Sequence, residues 1–84
     1  MYEILIEKNA EKELDKLNSP IFESISKAIL NLSIEPRPQG CKKLKGLEND
    51  WRLRVGSYRI LYELNDKMKQ IKINSIRHRK DVYK

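Results

Sequence analysis

Apolar and polar residues change their spacing along this chain in a way that marks its elements. Tyr2 to Glu7 alternates imperfectly, with Tyr2, Ile4 and Ile6 against Glu3, Leu5 and Glu7, and predicts a first strand. Ala10, Leu14 and Leu17 then keep the i, i+4, i+7 spacing of a helix face. Asn9 is placed to cap that helix, Glu11 and Glu13 suit its positive end, and Asn18 ends it. Ser19-Pro20 restarts a helix, Ser as cap and Pro at the first helical position. Ile21, Ile25, Ala28, Ile29 and Leu32 form its apolar stripe, and Pro36 and Pro38 stop it. From Trp51 the period drops to two. Trp51, Leu53 and Val55 share one face and Arg52 and Arg54 the other; after Gly56-Ser57, Tyr58, Ile60 and Tyr62 share one face and Arg59 the other. Gln70 to Ile76 is a last strand, Ile71 and Ile73 inward and Lys72 and Asn74 outward, reached through a turn at Asn65-Asp66.

The expected fold is α+β: a two-helix hairpin packed on one face of a small, mostly antiparallel sheet, in the order βααβββ, with Gly40 to Gly46 open to one further short strand. At 84 residues, the chain reads as a single domain over 1–84. A chain of this size buries about 60–65% of its unfolded surface, so its core is modest.

Folding the hairpin about Gly56-Ser57, with Gly supplying a positive φ, sets Val55 opposite Tyr58 and Arg54 opposite Arg59. Like charges directly across a ladder are destabilising. Two facing arginines, with Arg52 further along the same face, make sense if an anion fills the gap. The competing reading is a solvated basic face.

Charge distribution sharpens this picture. Net charge is +6, but residues 1–35 carry −3 and residues 36–84 carry +9. Positive charge concentrated in the half that holds the hairpin points to a polyanionic partner, nucleic acid first. Lys42, Lys43 and Lys45 surround Leu44 near the arginine face; Lys43 and Lys45 are candidate RNA or partner contacts, against a solvated loop. Gly40 to Gly46 is no phosphate-binding loop, since the Gly-Lys-Ser/Thr ending is absent. A single cysteine, Cys41, excludes an internal disulfide and fits a reducing compartment. Met1 to Glu7 lacks the basic start and long apolar stretch of a signal peptide, and no apolar run approaches the roughly 18 residues that span a bilayer. A cytoplasmic location with no membrane contact is the expectation. No metal-ligand pattern is present, and neither a metal nor a cofactor is expected.

The strand Tyr58-Arg59-Ile60-Leu61-Tyr62 together with the tail Arg77-His78-Arg79-Lys80-Asp81-Val82-Tyr83 resembles the RelE branch of the RelE/ParE toxin superfamily. The likeness extends over the element order, the Pro-bounded second helix and the Lys-Leu-Lys-Gly-Leu run. It implies a small basic cytoplasmic toxin of a type II toxin–antitoxin pair. The implied activity is cleavage of mRNA in the ribosomal A site, with a small acidic antitoxin wrapping the toxin. Carried onto this chain, the resemblance gives Arg59 the position that steadies the scissile phosphate. It gives Arg77 transition-state or leaving-group chemistry, and Tyr83 the tyrosine that orients or stacks on the substrate. Arg52 and Arg54 stand where relatives commonly carry lysines. Arginine, with a pKa above about 12, does not act as a base, so that duty does not transfer to either.

RNA supplies its own nucleophile: the 2′-hydroxyl attacks the adjacent phosphate and leaves a 2′,3′-cyclic phosphate and a 5′-hydroxyl. Arg52, Arg54, Arg59 and Arg77 suit the stabilisation of the added negative charge. Tyr83 is a candidate base if neighbouring arginines lower its pKa from about 10. His78 is a possible proton-transfer group by residue type, but in an extended segment it faces away from whatever Arg77 faces. The same parity sets Arg77 on the side of Ile71 and Ile73, unless a bulge intervenes or the strand ends near Ser75. Arg79 and Lys80 add long-range attraction to RNA. Three other readings stay open: a ParE-like toxin that inhibits DNA gyrase by protein contact, a non-catalytic RNA-binding module, and an inactive toxin.

Overall fold

In a computed structural model that describes residues 1–46 and 49–79, the chain forms five strands and two helices. These are β1 (Glu3–Ile6), α1 (Lys8–Asp15), α2 (Ile21–Leu32), β2 (Cys41–Lys43), β3 (Asp50–Val55), β4 (Tyr58–Asn65) and β5 (Gln70–His78). The strands make one sheet in the order β1-β5-β4-β3-β2. β1 runs parallel to β5, while the other neighbours are antiparallel. The short strand at 41–43 is the further one that the sequence left open.

Both helices lie on one face of the sheet. Ala10 from α1 and Ile25, Ile29 and Leu32 from α2 meet Leu53, Ile60, Tyr62, Leu64, Ile71, Ile73 and Ile76 in the core, with Leu14, Leu17, Trp51, Val55 and Tyr58 packed around it. Each buried Ile or Leu contributes about 1.5–3 kcal/mol relative to an exposed one, so this layer carries most of the fold's stability. Tyr62 is fully buried, and its hydroxyl donates to the Pro36 carbonyl at 2.7 Å. That bond pins the loop between α2 and β2 to the middle of the sheet. Burial, with Cys41 nearby, pushes the Tyr62 hydroxyl far above its ordinary pKa.

Several local expectations shift. Asn9 does not cap α1: β1 ends at Ile6, so the helix begins at Lys8 with Glu7 as its cap residue and no side-chain cap. α1 ends at Asp15, short of Asn18. Pro20, not Ser19, is the cap residue of α2, because the Asn18 carbonyl already accepts the Phe22 N–H at 2.9 Å. Ile21 is 39% exposed, so the buried stripe starts at Ile25. β4 continues through Glu63 and Leu64 to Asn65, with the turn over 66–69 and Lys69 at φ +55°.

The last strand reaches His78, and it is irregular. Tyr62 pairs with Ile73 but Leu61 with Ser75, which leaves Asn74 without a partner in β4. One extra residue in one strand of an antiparallel pair is a β-bulge. It moves every later side chain of β5 to the opposite face, so Ile76 is buried among the helices and Arg77 points outward.

Candidate phosphate-binding face

The outer face of the sheet, away from the helices, carries the chemistry. Gly56 turns the β3–β4 hairpin at φ +59°, and Arg54 stands opposite Arg59 in the register read from the sequence. Because of the bulge at Asn74, Arg77 in turn stands opposite Arg59. Three adjacent strands therefore present one row of arginines, Arg54–Arg59–Arg77, at the cross-strand spacing of about 4.5–5.5 Å between neighbours. The next row holds Lys42, Arg52, Leu61 and Ser75.

Arg59 is the centre of this arrangement. It is 3% exposed, and among the described residues no carboxylate pairs with it. Among the described residues its side chain donates to the Tyr58 carbonyl alone, at 3.4 Å. A buried cation without a counter-ion is costly, and that cost is relieved when an anion arrives. Beside it opens a cleft of about 480 Å³ lined by Gly40, Cys41, Lys42, Arg52, Arg54 and Arg59. Arg54 and Arg77 are exposed and Arg52 is half-buried. Among the described residues Arg77 has one acidic partner, Glu13 of α1, with Oε2 3.3 Å from Nε. Forked guanidinium donors at this density match the oxygens of a phosphodiester.

The other sequence candidates distribute as follows. Lys43 pairs with Trp51 and so projects to the helix side of the sheet; it is Lys42, opposite Arg52, that lines the cleft. Lys45 lies in an exposed turn beyond β2 and does not line the cleft. His78 stands opposite Tyr58 with ring centroids 5.1 Å apart in an edge-on contact, on the face opposite the arginines. Arg79 is exposed, and its N–H donates to the Ser57 carbonyl at the hairpin turn at 2.6 Å. Tyr83 and Lys80 lie outside the described residues. The sequence marks the lysine cluster without singling out Lys42, and it does not mark Glu13 as a partner of the arginines. The alternation Lys42–Lys43 against Arg52–Trp51 holds the signal for the first, while a lone Glu on a polar helix face gives none for the second.

The far end of the same face is built differently. Lys72 Nζ lies 3.3 Å from Glu63 and 3.6 Å from Glu7, and Glu63 first, then Glu7, raises its ammonium pKa. At that end of the sheet, Arg37 donates to Asp66 at 2.6 Å and lies 5.2 Å from the centre of the Trp51 ring. Arg37, with the Tyr2 hydroxyl, holds the Asp66 carboxyl below its usual range. Among the described residues, no helix is long and apolar enough to cross a membrane.

A family model described as the ParE toxin of the type II toxin–antitoxin system parDE matches residues 4–83. No curated protein matches the chain. Among solved structures, the RelE–RelB complex of Pyrococcus horikoshii OT3 is 31% identical, covers 93% of this chain and 94% of its own, and has a TM-score of 0.83. The RelBE2 toxin–antitoxin complex of Mycobacterium tuberculosis is 29% identical over 93% of this chain and 98% of that one, with a TM-score of 0.80. The isolated Escherichia coli RelE toxin is 25% identical over 99% and 92%, with a TM-score of 0.81.

Proposed function

The chain belongs to the RelE/ParE superfamily of type II toxin–antitoxin toxins, and from that premise we propose that it is a ribosome-dependent endonuclease that cuts mRNA in the A site and so inhibits translation. The observation that carries this reading is Arg59: buried, without a carboxylate partner among the described residues, and flanked across both neighbouring strands by Arg54 and Arg77. A surface that only docks on another protein has no use for a desolvated guanidinium at the centre of an arginine row.

In this mechanism the scissile phosphate sits on Arg59, with Arg54 and Arg77 on either side. As the 2′-oxygen attacks, the phosphorane gains negative charge. Guanidinium groups already fixed around it stabilise that charge without reorganising. Arg52 and Lys42 in the next row hold a neighbouring phosphate. The arginines do not move protons, and Tyr83 is the group proposed to orient the substrate and take part in proton transfer. The RelE-type neighbours are seen in complex with RelB, and a small acidic antitoxin is the proposed neutralising partner of this chain in the cytoplasm.

Primer extension on a messenger in a reconstituted translating ribosome tests this. The expected result is new breaks at A-site codons, absent with Arg59→Ala and absent on naked RNA. Folded protein that makes no breaks overturns the reading. The ParE description of the matching family model favours one second reading, inhibition of DNA gyrase by protein contact, and a supercoiling assay then decides it.

A further inference from the structure

Glu13 is the one described carboxylate in ionic contact with the arginine row, and both of its oxygens are engaged. Oε1 accepts the Ile76 N–H at 2.9 Å, and Oε2 lies 3.3 Å from Arg77 Nε. The position explains why a helix residue reaches the sheet. β1 ends at Ile6, opposite Ile73, so among the described residues the edge of β5 beyond Ile73 has no strand beside it, and α1 packs on β5 there. The carboxylate takes the donor that one more rung of β1 would have taken. It is also the more shielded member of the pair, with its side chain 24% exposed against 46% for Arg77.

An exposed arginine has several rotatable bonds and samples many directions. A tie at Nε restrains the plane of the guanidinium and leaves Nη1 and Nη2 for another acceptor. Resting on the nuclease reading above, we infer that Glu13 is a positioning residue: it holds the guanidinium of Arg77, which stands opposite Arg59 in the register, in one orientation so that groups from adjacent strands meet one phosphate. Glu13 touches no substrate and moves no proton. Its two oxygens link the step that the bulge takes in β5 to the direction in which Arg77 points.

Two variants separate the two oxygens. Glu13→Gln keeps an amide oxygen for the Ile76 N–H but loses the charge that faces Arg77; Glu13→Ala loses both. The readouts are the single-turnover cleavage rate on programmed ribosomes, the toxin concentration at half-saturation, the thermal midpoint and the ¹⁵N–¹H resonance of Arg77 Nε. Glu13→Gln is expected to melt like the parent and to half-saturate at the same concentration. Its cleavage is expected to be about 10–100-fold slower, the scale that misplacement of a catalytic group produces. Its Arg77 Nε–H is expected to exchange with water faster. In an Arg77→Ala background the same substitution is expected to add nothing. Cleavage by Glu13→Gln at the parental rate overturns the inference, and so does an equal loss in the Arg77→Ala background. If the parent itself makes no cuts, the nuclease reading fails. The Nε–H resonance then decides the inference: faster exchange in Glu13→Gln supports it, and unchanged exchange overturns it.

Discussion

The two ends of the outer sheet face solve the same electrostatic problem in opposite ways. At one end Lys72 lies between Glu63 and Glu7; charge is cancelled within the molecule and stays in water. At the other, Arg54, Arg59 and Arg77 stand side by side, and the most buried of the three has no described carboxylate partner. Both ends use the same strands, β4 and β5, so the difference is not one of backbone. A sheet face built only for solubility would resemble the first end throughout. The second end is stable only because the core behind it is sufficient, and its excess charge marks where an anion belongs.

The sharpest way to break this contrast is at its centre. Arg59→Ala is expected to lower A-site cleavage by about 10²–10³-fold, the usual scale for removing one group that stabilises transition-state charge. Arg59→Met keeps the volume and removes the buried charge. It is expected to raise the free energy of urea unfolding by about 1 kcal/mol or more while cleavage is lost. A variant that is both inactive and less stable would mean that Arg59 has a structural partner.

Tyr62 supplies the opposite case, a buried polar group that is fully satisfied. Tyr62→Phe leaves the Pro36 carbonyl unpaired and is expected to cost about 1–2 kcal/mol in urea unfolding. The hydroxyl's pKa is raised in the folded state, so its contribution is complete below about pH 10, where an unfolded tyrosine keeps its proton. It declines as the pH rises beyond that point. The Phe variant is expected to lose less stability than the parent over that alkaline range. Smaller again is the effect of salt. Removing Arg54 is expected to lower the slope of log affinity for a short single-stranded RNA against log salt by about 0.7, one phosphate contact. Last, Lys72→Met at the compensated end is expected to leave both cleavage and the melting midpoint where they were.

The hairpin was fully legible in the sequence, because a two-residue turn fixes register and register fixes faces. Hence the turn alone sets Arg54 opposite Arg59, as the structure has them. The helix stripes were legible for the same kind of reason, apart from the end residues, where a neighbouring carbonyl or a short connection decides the boundary. Lys42 is not separable from Lys43 in the sequence, because nothing between β2 and β3 signals the register in which they pair. Arg77 was legible only as a choice between a bulge and an early strand end, since period-two arithmetic detects the inconsistency without locating the extra residue. Glu13 had no local signal at all: its role comes from where β1 stops.

The unpaired Asn74 also constrains how this chain tolerates change in length. A strand has only two sides, so everything after the bulge depends on whether the count of residues before it is odd or even. Deleting one residue near Asn74 would leave composition and net charge almost untouched, yet it would turn Arg77 toward the helices and Ile76 toward water. Deleting or inserting two would shorten or lengthen the strand and keep each side chain where it is. Length variation in this segment is therefore expected to come in steps of two, with single-residue changes confined to the turn that precedes β5.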